Sequence, residues 1–208
     1  QAGWEPKMIA SLPERIDDAA ISPDGRFLAV RGFEAQQSTL LDARNGKRLA
    51  AIGPNARDVG LDWRFSPDGR TLAVDAKDRV LKLWDVPARR QRLAIRLESE
   101  TSDMAFSPDG QTLAVARAND LPVLLLDVET GEQRGQLRGH QSRIPRVAFA
   151  PDGRTLATGG ADRMIILWDI AALRQLVTLV GHGDAIDALA FSPDGRTLAS
   201  VGGGGTLR

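Results

Sequence analysis

The sequence predicts an all-β protein, a β-propeller built from four-stranded antiparallel blades. The turn motif Ser-Pro-Asp-Gly, with alanine replacing serine in one copy, occurs five times along the 208 residues. The prolines of successive copies are 44, 41, 43 and 42 residues apart. A period in the low forties, with short strands between the turns, is typical of propeller blades. The five copies begin at Ser22, Ser66, Ser107, Ala150 and Ser192.

Each copy of the turn joins the first two strands of a repeat. A short β-prone run precedes the turn, as at 146–149, and another follows it, as at 154–158. Proline presets the backbone at the second turn position, and glycine accepts the positive φ that closes the loop. Two such runs joined by such a turn predict an antiparallel hairpin.

The third strand of a repeat ends in an aspartate, and a fourth strand follows, as at 175–179. Successive aspartates are 43, 42 and 42 residues apart, in step with the turns, and tryptophan precedes two of them. These residues are Asp42, Asp85, Asp127 and Asp169. Two repeats also contain Gly-His, at Gly139-His140 and Gly181-His182.

With Gly-His, Pro-Asp-Gly, a turn aspartate and Trp-Asp in this order, the chain resembles the WD-repeat family of β-propellers over essentially its whole length. The Ala/Arg-rich repeats look like those of bacterial WD-repeat proteins. The resemblance implies a partial propeller of four full blades and one shared or incomplete blade. The expected units are 1–12, the outer strand of a preceding or closing blade; 13–53, blade one; 54–97, blade two; 98–138, blade three; 139–180, blade four; and 181–208, an incomplete blade five.

The resemblance also implies a structural hydrogen-bond tetrad in blade four, formed by His140, Thr158, Asp162 and Trp168. The imidazole can bridge the carboxylate and the hydroxyl, and the hydroxyl can accept from the indole N–H. Such a buried chain is favourable only when every member is satisfied. The other blades lack at least one member, so we expect them to depend on apolar packing.

Three tetrad residues have the composition of a nucleophile–base–acid triad. The fold supplies a structural role for all three, and a hydroxyl buried between blades leaves no room for a substrate. We therefore predict no catalytic residue. Two histidines and no cysteine leave little for a transition metal, and the glycines at 202–205 lack the lysine of a phosphate-binding loop. We expect no metal and no cofactor.

The resemblance further implies a partner-binding rim around the narrow end of the central channel. In the family, partners often dock there, on residues that flank the start of each innermost strand. Aligning the blades on their apolar positions gives seven candidates for this rim. They are Arg15, Asp17, Glu100, Ser102, Arg143, Pro145 and Asp187.

Lys+Arg and Asp+Glu both number 27, so no global field attracts nucleic acid or an anionic membrane. No apolar run is long enough for a membrane span. We therefore expect a soluble, cytoplasmic protein whose partner is a protein or another domain of the same polypeptide.

Three functions remain open at this point. The first is a non-catalytic scaffold for protein–protein or interdomain interactions. The second is a structural subunit of a larger assembly, associated through open blade edges, whose neighbours complete the ring. The third is a propeller enzyme of the hydrolase or lactonase type with a site in the channel, which the two histidines and the lack of an inward carboxylate cluster disfavour.

Overall fold

The computed structural model describes residues 16–32, 38–52, 59–76, 79–119 and 122–208. Within these ranges the chain is all-β, and the strands form four four-stranded antiparallel sheets and one two-stranded sheet. This architecture confirms the prediction of propeller-type blades. The predicted outer strand at 1–12 lies outside the described residues.

The bounds of the strands follow one scheme, with four strands in each of blades one to four. Blade one has β1 (Ile16–Ile21), β2 (Phe27–Gly32), β3 (Ser38–Asp42) and β4 (Arg48–Ile52). Blade two has β5 (Val59–Phe65), β6 (Thr71–Ala76), β7 (Val80–Asp85) and β8 (Arg90–Arg96). Blade three has β9 (Thr101–Phe106), β10 (Thr112–Arg117), β11 (Val123–Asp127) and β12 (Gln133–Leu137).

Blade four has β13 (Arg146–Phe149), β14 (Thr155–Gly159), β15 (Ile165–Asp169) and β16 (Arg174–Leu179). Blade five has β17 (Ile186–Phe191) and β18 (Leu198–Gly202). A single further bridge in blade five pairs Val201 with Leu207, where a third strand of the blade would begin.

The Ser-Pro-Asp-Gly turns are closed by their own side chains. In the first copy the Ser22 hydroxyl donates to Asp24 at 2.6 Å and accepts from the Phe27 N–H at 2.9 Å. Gly25 adopts a φ of 68°, which explains why glycine ends the motif. The serine hydrogen bond, with one from a backbone N–H, lowers the pKa of Asp24, and the same pair lowers that of Asp109.

The hydrophobic core is divided among the blade interfaces. One buried cluster joins blades one and two, a second joins blades two and three, and a third joins blades three and four. The first strands β1, β5, β9, β13 and β17 contact one another in that order. These strands therefore form the inner side of the array, and each blade is stabilised by burying its apolar faces against its neighbours.

None of the described residues forms a helix with the length and apolar character that crossing a membrane requires.

Candidate functional site

The four tetrad residues of blade four meet in one hydrogen-bonded chain. The Nδ1 atom of His140 lies 2.9 Å from the Asp162 carboxylate, and its Nε2 atom lies 2.8 Å from the Thr158 hydroxyl. The indole N–H of Trp168 donates to the same hydroxyl at 2.8 Å. All polar atoms are satisfied when Nδ1 donates to the carboxylate, the hydroxyl donates to Nε2 and the indole donates to the hydroxyl.

The backbone around the tetrad also depends on it. The Asp162 carboxylate accepts from the N–H groups of Gln141, at 3.0 Å, and Met164, at 3.2 Å. A Cβ atom at Gly160 would lie 2.0 Å from the carboxylate and 2.4 Å from the His140 ring. Gly160 is therefore required at this position, a constraint that the sequence motif alone does not reveal.

The tetrad side chains are buried, so a substrate cannot reach them. The side chain of His140 is 1% exposed, and Thr158 and Trp168 are buried as well. Each of these side chains is already hydrogen-bonded to another member of the tetrad. The triad-like composition of blade four is therefore found in a packed, self-satisfied network.

The other blades replace the tetrad in different ways. In blade five, the Nε2 atom of His182 lies 2.7 Å from the Ser200 hydroxyl, and its Nδ1 atom lies 3.3 Å from the Thr206 hydroxyl. Thr206 therefore takes the position that Asp162 has beside the histidine of blade four. In blade two, the buried Nε1 atom of Trp84 has no hydrogen-bond partner, because Val74 occupies the position of the threonine. The sequence also has an aspartate in the corresponding turn of blades two and three, at 78 and 120, and both lie outside the described residues.

Blade three differs from the expectation of apolar packing alone. Its Arg117 side chain is only 3% exposed and donates to the Pro122 carbonyl from Nε at 3.2 Å and from Nη2 at 3.1 Å. Its Nη1 donates to Glu98 at 2.8 Å. A buried guanidinium with partners on three nitrogens therefore takes the place of the tetrad.

The seven candidate rim residues are not equally accessible. Glu100, Arg143 and Asp187 are exposed, whereas Pro145 is buried and cannot contact a partner. The Ser102 hydroxyl donates to the Ile144 carbonyl at 2.6 Å and so serves the interface between blades three and four. Arg15 and the side chain of Asp17 lie outside what the structure describes.

Asp103 is an important residue that the sequence analysis missed. Its buried carboxylate, on β9, accepts from the backbone N–H of Val147 in blade four at 2.9 Å and from the guanidinium of Arg64 in blade two at 3.0 Å. One side chain thus links the inner strands of three blades. No sequence signal marks it, since one of its partners is a backbone group.

Arg64 also contacts a second carboxylate, that of Asp62 on the same strand. Burial raises the pKa of Asp62 to about 6, although the neighbouring Arg64 opposes that shift. The negative charge of Asp103, like burial, raises the pKa of Asp62. The inner strands therefore carry a cluster of two carboxylates and one guanidinium, and the prediction that no carboxylates cluster on the inward side is wrong.

Comparison with known proteins places these repeats in a family. The family model "WD domain, G-beta repeat" matches residues 48–85, 131–169 and 173–208, more than half of the chain. LEC14B protein of Lithospermum erythrorhizon is 28% identical over 176 residues, which are 74% of this chain and 37% of that protein.

Two further relatives match shorter segments. Meiotic recombination protein rec14 of Schizosaccharomyces pombe is 30% identical over 121 residues, which are 57% of this chain and 40% of that protein. Telomerase protein component 1 of Rattus norvegicus is 35% identical over 86 residues, which are 40% of this chain and 3% of that protein. The chain thus spans well under half the length of each of these relatives. The repeat matches and the four-stranded sheets together show that the chain belongs to the WD-repeat family.

Proposed function

We propose that this chain is a non-catalytic scaffold that presents its loops to a protein partner or to another domain of its own polypeptide. The observation that carries this proposal is the self-satisfied tetrad of blade four. Its triad-like groups are buried and hydrogen-bonded to one another. A partner can therefore contact the exposed loop residues but not these groups. The general role of WD repeats in protein interaction supports the same function.

The exposed rim residues are the proposed contact points. Glu100 and Arg143 occupy matching places in blades three and four, where their carbonyls accept from Ala118 and Ala161 at the same end of each blade. Charged residues at a rim mainly steer association and exclude wrong partners. We therefore place partner selection on the charges of Glu100, Arg143 and Asp187.

Exchanging the charges of two rim residues is expected to remove a partner without unfolding the chain. The variant Glu100→Lys/Arg143→Glu keeps the net charge and alters only exposed side chains. The matched control is Glu132→Lys/Arg154→Glu, which makes the same exchange at the Ser-Pro-Asp-Gly end of the same blades. Proteins that copurify with each tagged chain are quantified by mass spectrometry.

We expect a set of copurifying proteins to fall at least fivefold for the rim variant and to stay unchanged for the control. Equal recovery with both variants would contradict the rim as the contact surface. Turnover of ester or lactone substrates that survives in both variants would contradict the non-catalytic role.

A second function, a structural subunit completed by neighbours, is favoured by the exposure of blade four. Leu179 pairs with the first residue of the third strand, as Leu137 and Ile52 do in blades three and one. The side chains of Leu137 and Ile52 are 1% exposed, but that of Leu179 is 41% exposed. Val180 beside it is 77% exposed. Among the described residues, the apolar face of blade four is therefore less covered than the equivalent faces of blades one and three.

An uncovered face of this kind is expected to associate. Light scattering coupled to size-exclusion chromatography should show a mass above 22.4 kDa for the chain, rising with concentration. The variant Leu179→Lys/Val180→Lys should shift the mass toward that of the monomer. A wild-type chain that stays monomeric at high concentration would exclude this second function.

A further inference from the structure

Two adjoining cavities open between blades two and three, and their linings include none of the candidate rim residues. One has a volume of about 350 Å³ and is lined by Arg79, Arg96, Leu97 and Glu98. The other has a volume of about 280 Å³, shares Arg96, Leu97 and Glu98, and continues along blade three. We call both together the arginine cleft. The remaining lining residues are Arg117, Pro122, Leu124, Gln133, Gln136 and Arg138.

The arginine cleft concentrates positive charge in a chain whose charges balance overall. Among the described residues, four arginines line it together with one carboxylate, that of Glu98, which pairs with Arg117. Arg79, Arg96 and Arg138 are exposed and form no ion pair with any described residue. Within the part of the chain that the structure describes, these three guanidinium groups are thus not engaged by a carboxylate and can bind an anion.

The inner wall of the cleft is held in place before any ligand arrives. The Arg117 side chain is almost fully buried and is fixed by the Pro122 carbonyl and by Glu98. On the outer strand, the Gln136 amide oxygen accepts from Arg138 at 3.3 Å. Groups that are ordered in advance lose less entropy when they bind a ligand.

We propose that the arginine cleft binds an acidic segment of a partner polypeptide, a proposal that rests on the scaffold function. Guanidinium groups pair with carboxylates through two parallel hydrogen bonds, and the glutamine amides of the cleft can bond to a peptide backbone. The lining contains no aromatic side chain on which a nucleotide base could stack. An acidic peptide therefore fits the cleft better than a single-stranded nucleic acid does.

The backbone of blade two allows a test variant that removes charge without strain. Arg79 has a φ of 62°, a left-handed conformation that glycine adopts more easily than arginine. Arg79→Gly should therefore fold at least as well as the wild type. Arg163, with a φ of 68°, has the same conformation in the corresponding turn of blade four, outside the cleft. Arg163→Gly is thus a control with the same loss of charge and the same change of backbone.

The probe is a fluorescein-labelled 12-residue peptide of alternating glutamate and serine, followed by fluorescence anisotropy at low salt. We expect the variant Arg79→Gly/Arg96→Gln to weaken binding about tenfold, since each exposed ion pair contributes up to about fivefold. The control Arg163→Gly/Arg154→Gln should bind within twofold of the wild type. Added salt should weaken binding to the wild type.

Three outcomes would overturn the proposal. The first is that the cleft variant binds the peptide as tightly as the wild type does. The second is that the wild type binds a peptide with glutamine in place of glutamate equally well. The third is that the wild type prefers a 12-nucleotide single-stranded DNA to the peptide and the cleft variant no longer binds that DNA. Each is separate from failure of the scaffold function, because the rim variant Glu100→Lys/Arg143→Glu leaves the arginine cleft intact.

Discussion

Replacing His140 with alanine is expected to lower the free energy of unfolding by about 2–4 kcal/mol, one of the two largest effects we predict for a single substitution. The change removes the hydrogen bond to Thr158 and leaves the buried Asp162 carboxylate without its side-chain partner. It also opens a cavity between the strands of a packed blade. Denaturation in guanidinium chloride, followed by tryptophan fluorescence, measures the loss.

The chain carries its own control for this effect, the histidine of blade five. His182 makes the matching contact to a hydroxyl, that of Ser200, but its other contact is a longer one in an exposed setting, to Thr206. We therefore expect His182→Ala to cost less than about 1 kcal/mol, because water can satisfy the exposed groups. Equal losses for the two substitutions would contradict the role that we assign to burial in blade four.

Replacing Asp103 with alanine is expected to lower the free energy of unfolding by about 2–3 kcal/mol. The substitution leaves the Val147 N–H without an acceptor and removes one of the two carboxylates that Arg64 contacts. Since these partners belong to blades two and four, the loss weakens two blade interfaces together. Chemical denaturation measures the stability, and hydrogen exchange at Val147 reports the freed N–H directly.

Asp62→Asn is the matched control, since Asp62 is the other carboxylate of Arg64. Its pKa of about 6 lies above the ordinary value of 3.8, so the folded state disfavours its charge at pH 7. We expect Asp62→Asn to be neutral or stabilising at pH 7. The difference from the wild type should shrink as the pH falls from 7 to 5, because protonation then relieves the wild type. A destabilised Asp62→Asn variant at pH 7 would show that the ion pair, rather than burial, governs this carboxylate.

The sequence was sufficient for the fold, and the reason is physical. Each Ser-Pro-Asp-Gly copy specifies a turn through its own residues, so its meaning does not depend on distant parts of the chain. Five copies at an even spacing then predict hairpins at an even spacing, which the strands from β1 to β18 confirm. The four residues assigned to the tetrad also form one continuous chain of hydrogen bonds.

The sequence was less informative wherever a side chain acts on a backbone group. Asp103 binds the Val147 N–H and Ser102 binds the Ile144 carbonyl, and no residue type at 144 or 147 signals either contact. The burial of Arg117 was not predicted for the same reason, because its hydrogen-bond acceptor is the backbone carbonyl of Pro122. The burial of Pro145, which removes it from the predicted rim, depends on packing between blades that a single repeat cannot reveal.

The self-contained closure of the Ser-Pro-Asp-Gly turns has a consequence for how the molecule folds. A hairpin that closes over six residues loses little chain entropy and requires no other blade to form. Hairpins can therefore nucleate independently and dock onto neighbouring blades afterwards. Under mild stress a blade that loses its contacts to a neighbour should therefore keep its hairpin ordered.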